Sequence, residues 1–312
     1  MIRILQILNC NFRPKILFKK SLLILSLILF FSISCQTPIN EISENGFIDS
    51  TESLYPTLDK NATIFTIPSP TQVVSTLKII NAPFQDELIE GYCYTNELCP
   101  NKYYKALNLG LVIVDFSYCV LNDKISLSST LLSRLEHLID ELDIQDQNSI
   151  LLYKKLRDNV YNKDSVSKYV LSAQNSIDGY FQHSDERQVG IWIISSIYLE
   201  GLYLLTETYS DLLKKNTLSE LQKKQLNILL LHQKLFLPNL CELYNSLQID
   251  KSSPIYDQLE KLKSDFEAMN ITFKYDDKMH KISDVKLDNK QLISLNKKLK
   301  TYRNEILSSN LK

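Results

Sequence analysis

Two segments of this chain, residues 103–121 and 189–205, are apolar on nearly every face of a helix. A surface helix keeps a polar face toward water, so a helix that is apolar all round is buried. Both segments therefore predict central helices that other helices surround. A chain of 312 residues is long enough to surround them with a sizeable core.

The rest of the chain after Pro70 is also helical in pattern. It contains few glycines, and its apolar residues recur at spacings of three and four. The predicted fold class is all-α, either a multi-helix bundle or an irregular array of antiparallel helix pairs with two buried central helices. The predicted helices span residues 70–80, 84–90, 101–122, 126–143, 146–162, 164–183, 185–213, 217–248, 253–269 and 288–308.

Local residues support several of these boundaries. Five residues are candidate N-caps, and Thr217 with Glu220 has the spacing of a capping box. Pro238 interrupts a long apolar pattern and predicts a kink or a break. Residues 271–275 alternate like a short strand, for which the pattern shows no partner strand. The candidate N-caps are Ser126, Asp146, Asp164, Ser184 and Thr217.

Three glycines lie inside the two central helices: Gly110, Gly190 and Gly201. A glycine inside a helix costs about 1 kcal/mol relative to alanine, so each position needs a reason. The reason is either the close approach of another backbone or room for a ligand. We favour close packing.

The central helices also carry the best candidates for a ligand pocket. Asn108 and Asp115 are seven residues apart and share one face of the first helix. Asp115 would line a pocket together with Tyr118 and Trp192, or act as an acid or base with Glu200 if the two helices face each other.

A structural alternative is favoured over this site. A buried carboxylate must be paired, hydrogen-bonded or neutralised. Asp115 and Glu200 therefore also fit a structural ion pair with a basic residue such as Arg187 or Lys105.

The N-terminus indicates an export signal. Basic residues precede an uncharged run at residues 21–31, which ends in small and apolar residues before Cys35. A transmembrane helix needs about 20 apolar residues, and this run has about half of that number. We expect residues 1–34 to be a signal peptide, 35–70 a lipidated tether, and 71–312 a single helical domain. The resemblance of this segment to the signal peptides of bacterial lipoproteins implies a diacylglycerol on the Cys35 thiol.

Charge and motifs exclude several functions. Without residues 1–34 the chain has 30 basic and 36 acidic residues, a net charge near −6, which does not suit nucleic-acid binding. Cys93 and Cys99 have the spacing of a loop-closing disulfide, although both also fit as buried thiols. The sequence contains no C-x-x-C, H-E-x-x-H, P-loop or G-x-S-x-G motif, so it predicts neither a metal site nor a cofactor.

Four short motifs stand out after the tether and in the two central helices: IPSP at residues 67–70, KALNLG at 105–110, DFSY at 115–118 and EGLY at 200–203. With these motifs the chain resembles a family of uncharacterised helical lipoproteins of Bacteroidota. Asp115 and Glu200 both match the pattern of the family. The resemblance implies the lipid anchor and the helical fold, and it implies no activity.

The sequence favours a non-catalytic envelope lipoprotein that binds a partner protein or ligand through its helical domain. An enzyme that uses Asp115 and Glu200 and a tetratricopeptide-like adaptor are the alternatives. Gln36 and Thr37 follow the lipidated cysteine without the aspartate of inner-membrane retention, so we expect the outer membrane. The domain is expected to face the periplasm, because the residues after Thr37 lack a compact acidic cluster for surface export; exposure on the cell surface is the alternative.

Overall fold

A computed structural model describes residues 70–89, 101–144, 154–159, 162, 187–276 and 281–308. The signal peptide, Cys35, the tether, the Cys93 and Cys99 pair, and most of the two helices predicted between 146 and 183 lie outside the described residues. The predicted division of the chain at residue 70 stays a prediction.

Helices make up 77% of the described part of the chain, which otherwise contains a two-stranded sheet. This confirms the predicted all-α class. The predicted helix 84–90 is wrong, since only a single 3-10 turn forms there, at Asp86–Leu88. The main elements are α1 (Pro70–Ile79), α2 (Lys102–Leu121), α3 (Ile125–Glu141), α4 (Arg187–Lys214), α5 (Glu220–Ser246), α6 (Pro254–Ala268), β1 (Thr272–Asp276), β2 (Lys281–Lys286) and α7 (Asn289–Ser308).

Helix α4 is the centre of the fold, with α1, α2, α5, α6 and α7 packed against it. From Val189 to Leu205 its residues are buried on all sides except at the half-buried Trp192, as the sequence predicts. Both α2 and α4 are long and apolar enough to cross a membrane by length and composition, but most of each apolar segment is buried inside the protein. They are the core helices of a bundle.

The directions of the helices follow from their cross-contacts. Helices α2 and α4 run parallel, while α5 and α7 run antiparallel to α4. The contacts that fix these directions are Tyr103 with Trp192, Gly110 with Ser196, Tyr209 with Asn227, Ser195 with Tyr244, Thr206 with Asn296, and Glu200 with Arg303.

Gly110 lies where α2 crosses α4. A Cβ atom at this position would overlap Ser196 Oγ and the carbonyl oxygen of Ile193, and it would lie 3.1 Å from the nitrogen of Ile197. The backbones of the two central helices therefore meet at Gly110. Close packing, not room for a ligand, explains this glycine.

Five helices, α1 to α5, end in the same way. In each, the residue after the C-cap adopts a left-handed conformation, and two backbone N–H groups close the last turn in the pattern of a Schellman motif. Glycine usually takes this position. Here asparagine, aspartate and glutamine take it instead, which is how the chain ends its helices with so few glycines. The left-handed residues are Asn81, Asp123, Asp143, Asn216 and Gln248.

These endings displace two predicted helix starts. The N–H of Thr217 donates to the carbonyl of Leu212 and so closes α4. Helix α5 begins later, with Ser219 and Gln222 forming the capping box that was predicted for Thr217 and Glu220. Ser126 is likewise not an N-cap, because α3 already begins at Ile125.

Two further predictions concern the C-terminal half. Helix α5 continues through Pro238 without a break. A proline has no N–H to donate to the carbonyl one turn earlier in the helix. Pro238 is exposed, so water can donate to that carbonyl instead. The alternating segment near residue 271 forms β1, and its partner strand is β2, antiparallel to it. Asn227 anchors this hairpin on α5, because its Nδ2 donates to the carbonyl of Val285 at 2.8 Å.

Candidate functional site

Asp115 and Glu200 meet inside the bundle at a third residue, Arg303. Asp115 comes from α2, Glu200 from α4 and Arg303 from α7. Both carboxylates are 0% exposed and Arg303 is 4% exposed. The cluster therefore joins the two central helices to the last helix, out of contact with bulk water.

The guanidinium is fixed on several sides. Its Nε donates to both carboxylate oxygens of Glu200 at 2.9 Å. Its Nη2 donates to the carbonyl of Leu88 at 2.9 Å and lies 3.9 Å from Asp115 Oδ2. The guanidinium also lies over the ring of Tyr203, 4.7 Å from its centroid. Because the donors of a guanidinium have a fixed planar geometry, these hydrogen bonds fix the positions of Glu200 and of the Leu88 carbonyl relative to Arg303.

These contacts give Arg303 a structural role. It connects the segment after α1, through Leu88, with α2, α4 and α7. A buried ion cluster adds little net stability over apolar packing, but removing one partner leaves a buried charge and costs about 3–5 kcal/mol. The cluster therefore ties these four parts of the chain together, and losing any one of its charges is costly.

The basic residues proposed from sequence as partners lie elsewhere. Arg187 is exposed at the start of α4. Lys105 lies 3.8 Å from Glu141 of α3. The prediction that Asp115 and Glu200 form a structural ion pair is confirmed. The basic residues named for it are wrong, since Arg303 supplies the positive charge.

Arg303 could have been found from its position in α7. Leu292, Leu295, Leu299 and Ile306 are buried on one face of this helix, and Arg303 falls within the same stripe at helical spacing. An arginine in an apolar stripe predicts a buried acidic partner. The lysine-rich composition of α7 hides this pattern, because most of its basic residues are exposed.

The other candidate pocket residues have local partners. Asn108 Nδ2 donates to the carbonyl of Tyr104 in its own helix at 2.9 Å. The hydroxyl of Tyr118 accepts from the backbone N–H of Gln85 at 3.2 Å. Trp192 packs edge-to-face on Tyr103, with ring centroids 4.9 Å apart. The structure thus joins Asp115 and Glu200 and gives Asn108, Tyr118 and Trp192 separate contacts.

Burial dominates the electrostatics around these residues. It raises the pKa of Tyr118 to about 12, against a smaller lowering by the backbone bond from Gln85. Burial also raises the pKa of Tyr203, although Arg303 opposes the shift. In α5, burial lowers the pKa of His232 to about 4, so this imidazole is neutral at pH 7. None of these shifts prepares a group for proton transfer near neutral pH.

No group of three or more His, Cys, Asp or Glu residues within the described ranges is arranged to hold a metal ion. The cysteines that the structure describes, Cys119 and Cys241, are buried, and they form no disulfide with a described residue. Burial raises the pKa of the Cys241 thiol to about 12, which opposes formation of a reactive thiolate.

Comparison with protein-family models, with curated proteins and with solved structures finds no match for this chain.

Proposed function

We propose that this protein is a lipid-anchored protein of the cell envelope that binds a partner protein or ligand through its helical domain and performs no catalysis. The observation that carries the non-catalytic choice is the burial of Asp115 and Glu200 on Arg303. The proposed location in the cell envelope rests on the N-terminal signal-like sequence, residues 1–34, and on Cys35 after it.

The enzymatic alternative required both carboxylates in an open pocket. Asp115 and Glu200 are fully buried, and the Nε of Arg303 is bonded to both oxygens of Glu200. A carboxylate held in this way is not presented to a substrate. These two residues therefore favour the binding function over the enzyme.

The adaptor alternative required helix pairs that stack only on their neighbours in sequence. Helix α7 instead packs directly on α4, and residues Asn296 and Arg303 bond to Thr206 and Glu200. This long-range closure is typical of a bundle around a central helix. It favours a closed domain that binds with its outer surface.

The lipid anchor is tested by labelling growing cells with an alkyne analogue of palmitate. We expect the wild-type protein to take up the label and to remain in the outer-membrane fraction after a high-salt wash. Cys35→Ser should lose the label and leave that fraction, whereas Cys10→Ser should behave like wild type. Equal labelling of Cys35→Ser and wild type would refute the anchor.

The binding function is tested by crosslinking intact envelopes and identifying crosslinked peptides by mass spectrometry. We expect a partner that recurs between replicates and that maps to exposed residues of the helical domain. Gly201→Ala serves as a control and should give the wild-type crosslinks, because its new Cβ lies inside the protein in ordinary contact with Val73 and leaves the surface unchanged. The absence of any recurring crosslink would contradict the proposed function.

A further inference from the structure

Two exposed aliphatic residues lie where α1 ends and α5 begins. Ile79 is 49% exposed and Leu221 is 58% exposed. The residues that follow them are in direct contact, because the Nε2 of Gln222 donates to the carbonyl of Ile80 at 2.8 Å. The fold therefore brings Ile79 and Leu221 to one corner of the bundle.

The charges at this corner are mainly basic. We define the α1–α5 corner as residues 78–80 and 214–224, which contain five lysines and a single carboxylate, that of Glu220. Lys215 pairs with Asp211, outside the corner, at 2.8 Å. The other four lysines form no ion pair with the described residues, and they stand out in a chain whose net charge without residues 1–34 is near −6. These unpaired lysines are Lys78, Lys214, Lys223 and Lys224.

The backbone of the corner depends little on water. Helix ends usually leave free N–H and carbonyl groups, which cost free energy when they enter an apolar phase. Here the carbonyl of Ile80 accepts from Gln222, and the N–H groups of Asn81 and Ala82 close the end of α1. The side chains of Ser219 and Gln222 cap the start of α5. The corner can therefore enter an apolar phase with these backbone groups already paired.

This combination fits a membrane surface better than a protein partner. A specific protein interface involves about 20–30 residues on each side and is depleted in lysine. At a membrane, apolar side chains enter the acyl boundary, while the long stem of a lysine carries its amine to the phosphates. Anionic headgroups also complement the unpaired lysines. The apolar residues and the charges thus indicate the same ligand.

We propose that the α1–α5 corner docks on a bilayer that contains anionic phospholipids, with Ile79 and Leu221 in the acyl boundary and the unpaired lysines among the phosphates. Two half-exposed aliphatic side chains bind a membrane only weakly, so docking needs an anchor that keeps the domain close. In this respect the inference rests on the proposed lipid anchor. The 34 residues between Cys35 and Pro70 can extend over about 110 Å, so the anchor allows the corner to reach the bilayer.

The test places a photocrosslinker in the corner. The full chain with Leu221→benzoylphenylalanine is purified in detergent and reconstituted into vesicles of phosphatidylcholine and phosphatidylglycerol. After irradiation, mass spectrometry of its peptides measures the fraction of residue 221 that has joined to a phospholipid. Leu235→benzoylphenylalanine is the matched control, because Leu235 is also exposed on α5. It lies about 21 Å further along the helix, beyond the roughly 5–10 Å to which such surfaces insert.

We expect at least about fivefold more phospholipid adduct at residue 221 than at residue 235, because only the corner enters the bilayer. Each lysine near an anionic membrane strengthens binding about fivefold. Lys223→Gln combined with Lys224→Gln should therefore lower the adduct at residue 221 at least about fivefold, as should vesicles without phosphatidylglycerol. Lys251→Gln combined with Lys297→Gln removes the same charge from exposed positions outside the corner and should leave the adduct unchanged.

Equal adducts at residues 221 and 235 would overturn the proposal, as would an adduct at residue 221 that persists without phosphatidylglycerol. In intact cells, a crosslink from residue 221 to a second copy or to another protein would also overturn it and assign the corner to that partner. The anchor is judged separately by palmitate labelling. Label without the adduct would refute docking alone, and the adduct on a chain that takes up no label would refute the anchor alone.

Discussion

Replacing Gly110 with alanine should destabilise the protein strongly. The added Cβ would overlap the carbonyl oxygen of Ile193 as well as the hydroxyl of Ser196. A side chain can rotate away from a clash, but a backbone carbonyl inside a helix cannot. The two central helices would therefore have to move apart along their contact.

The size of the effect follows from two opposing contributions. Overpacking of a tight interior costs about 1–3 kcal/mol and sometimes more, and a backbone clash between central helices belongs at the upper end of this range. Alanine gains about 1 kcal/mol over glycine in helix propensity. We expect Gly110→Ala to lower the free energy of unfolding by about 2 kcal/mol, which corresponds to roughly 30-fold in the unfolding equilibrium.

Gly201→Ala is the matched control, since it is the same substitution in the other central helix. Here the new Cβ would lie 3.6 Å and 3.9 Å from side-chain carbons of Val73, which is ordinary van der Waals contact. Only the gain in helix propensity remains, so this variant should be more stable than wild type by about 1 kcal/mol. The two substitutions are therefore expected to change stability in opposite directions.

The assay is urea unfolding followed by far-ultraviolet circular dichroism, with the free energy obtained by linear extrapolation. Combining Gly110→Ala with Ser196→Ala should not restore stability, because the overlap with the Ile193 carbonyl remains. Full rescue by Ser196→Ala, or equal stability of Gly110→Ala and Gly201→Ala, would refute the reasoning about the helix crossing.

Three further predictions follow from other parts of the structure. Arg303→Leu should lower the free energy of unfolding by about 3–5 kcal/mol, because Glu200 would stay buried without its guanidinium; urea unfolding measures this, and a loss below about 1 kcal/mol would contradict it. Gln248→Gly should raise stability by about 1 kcal/mol, because φ at this exposed position is 56° and glycine adopts it without strain; a lower melting temperature than wild type would count against this. Burial lowers the pKa of His232 from 6.5 to about 4 in the folded protein, so between these pH values the unfolded chain binds more protons than the folded one. The stability that the neutral imidazole contributes is therefore fully present above pH 6.5 and is lost as the pH falls toward 4. The variant His232→Gln should lose about 2 kcal/mol less stability than wild type between pH 7 and pH 5, measured by urea unfolding at each pH; parallel pH profiles would refute this assignment.

The sequence predicts the helical core well because burial leaves a local trace. Helix α4 is apolar on every side, and this pattern alone indicates that other helices surround it. Gly110 also leaves a trace, since glycine inside a helix costs stability and so suggests close packing. Where a helix must meet the interior on all faces, its own residues carry the information.

Helix boundaries are predicted less well because neighbouring helices compete for the same residues. Thr217 and Glu220 have the spacing of a capping box, but the backbone of Thr217 is already used to close α4. Ser219 and Gln222 cap α5 instead. The preference for one capping pair over another depends on where the previous helix ends, which the local pattern does not contain.

The partner of the buried carboxylates is the hardest feature to predict, because the contact joins distant parts of the chain. Asp115 and Glu200 each indicate a buried charge in a core helix, and a buried charge requires compensation. The compensating residue stands in a lysine-rich helix whose composition is typical of a surface. The pattern becomes informative only when Arg303 is compared with the leucines of its own stripe. Arg303 interrupts the apolar stripe of α7, and Glu200 lies inside the apolar helix α4. Each buried charge requires a partner of opposite sign. Taken together, the two positions predict that α7 docks on α4.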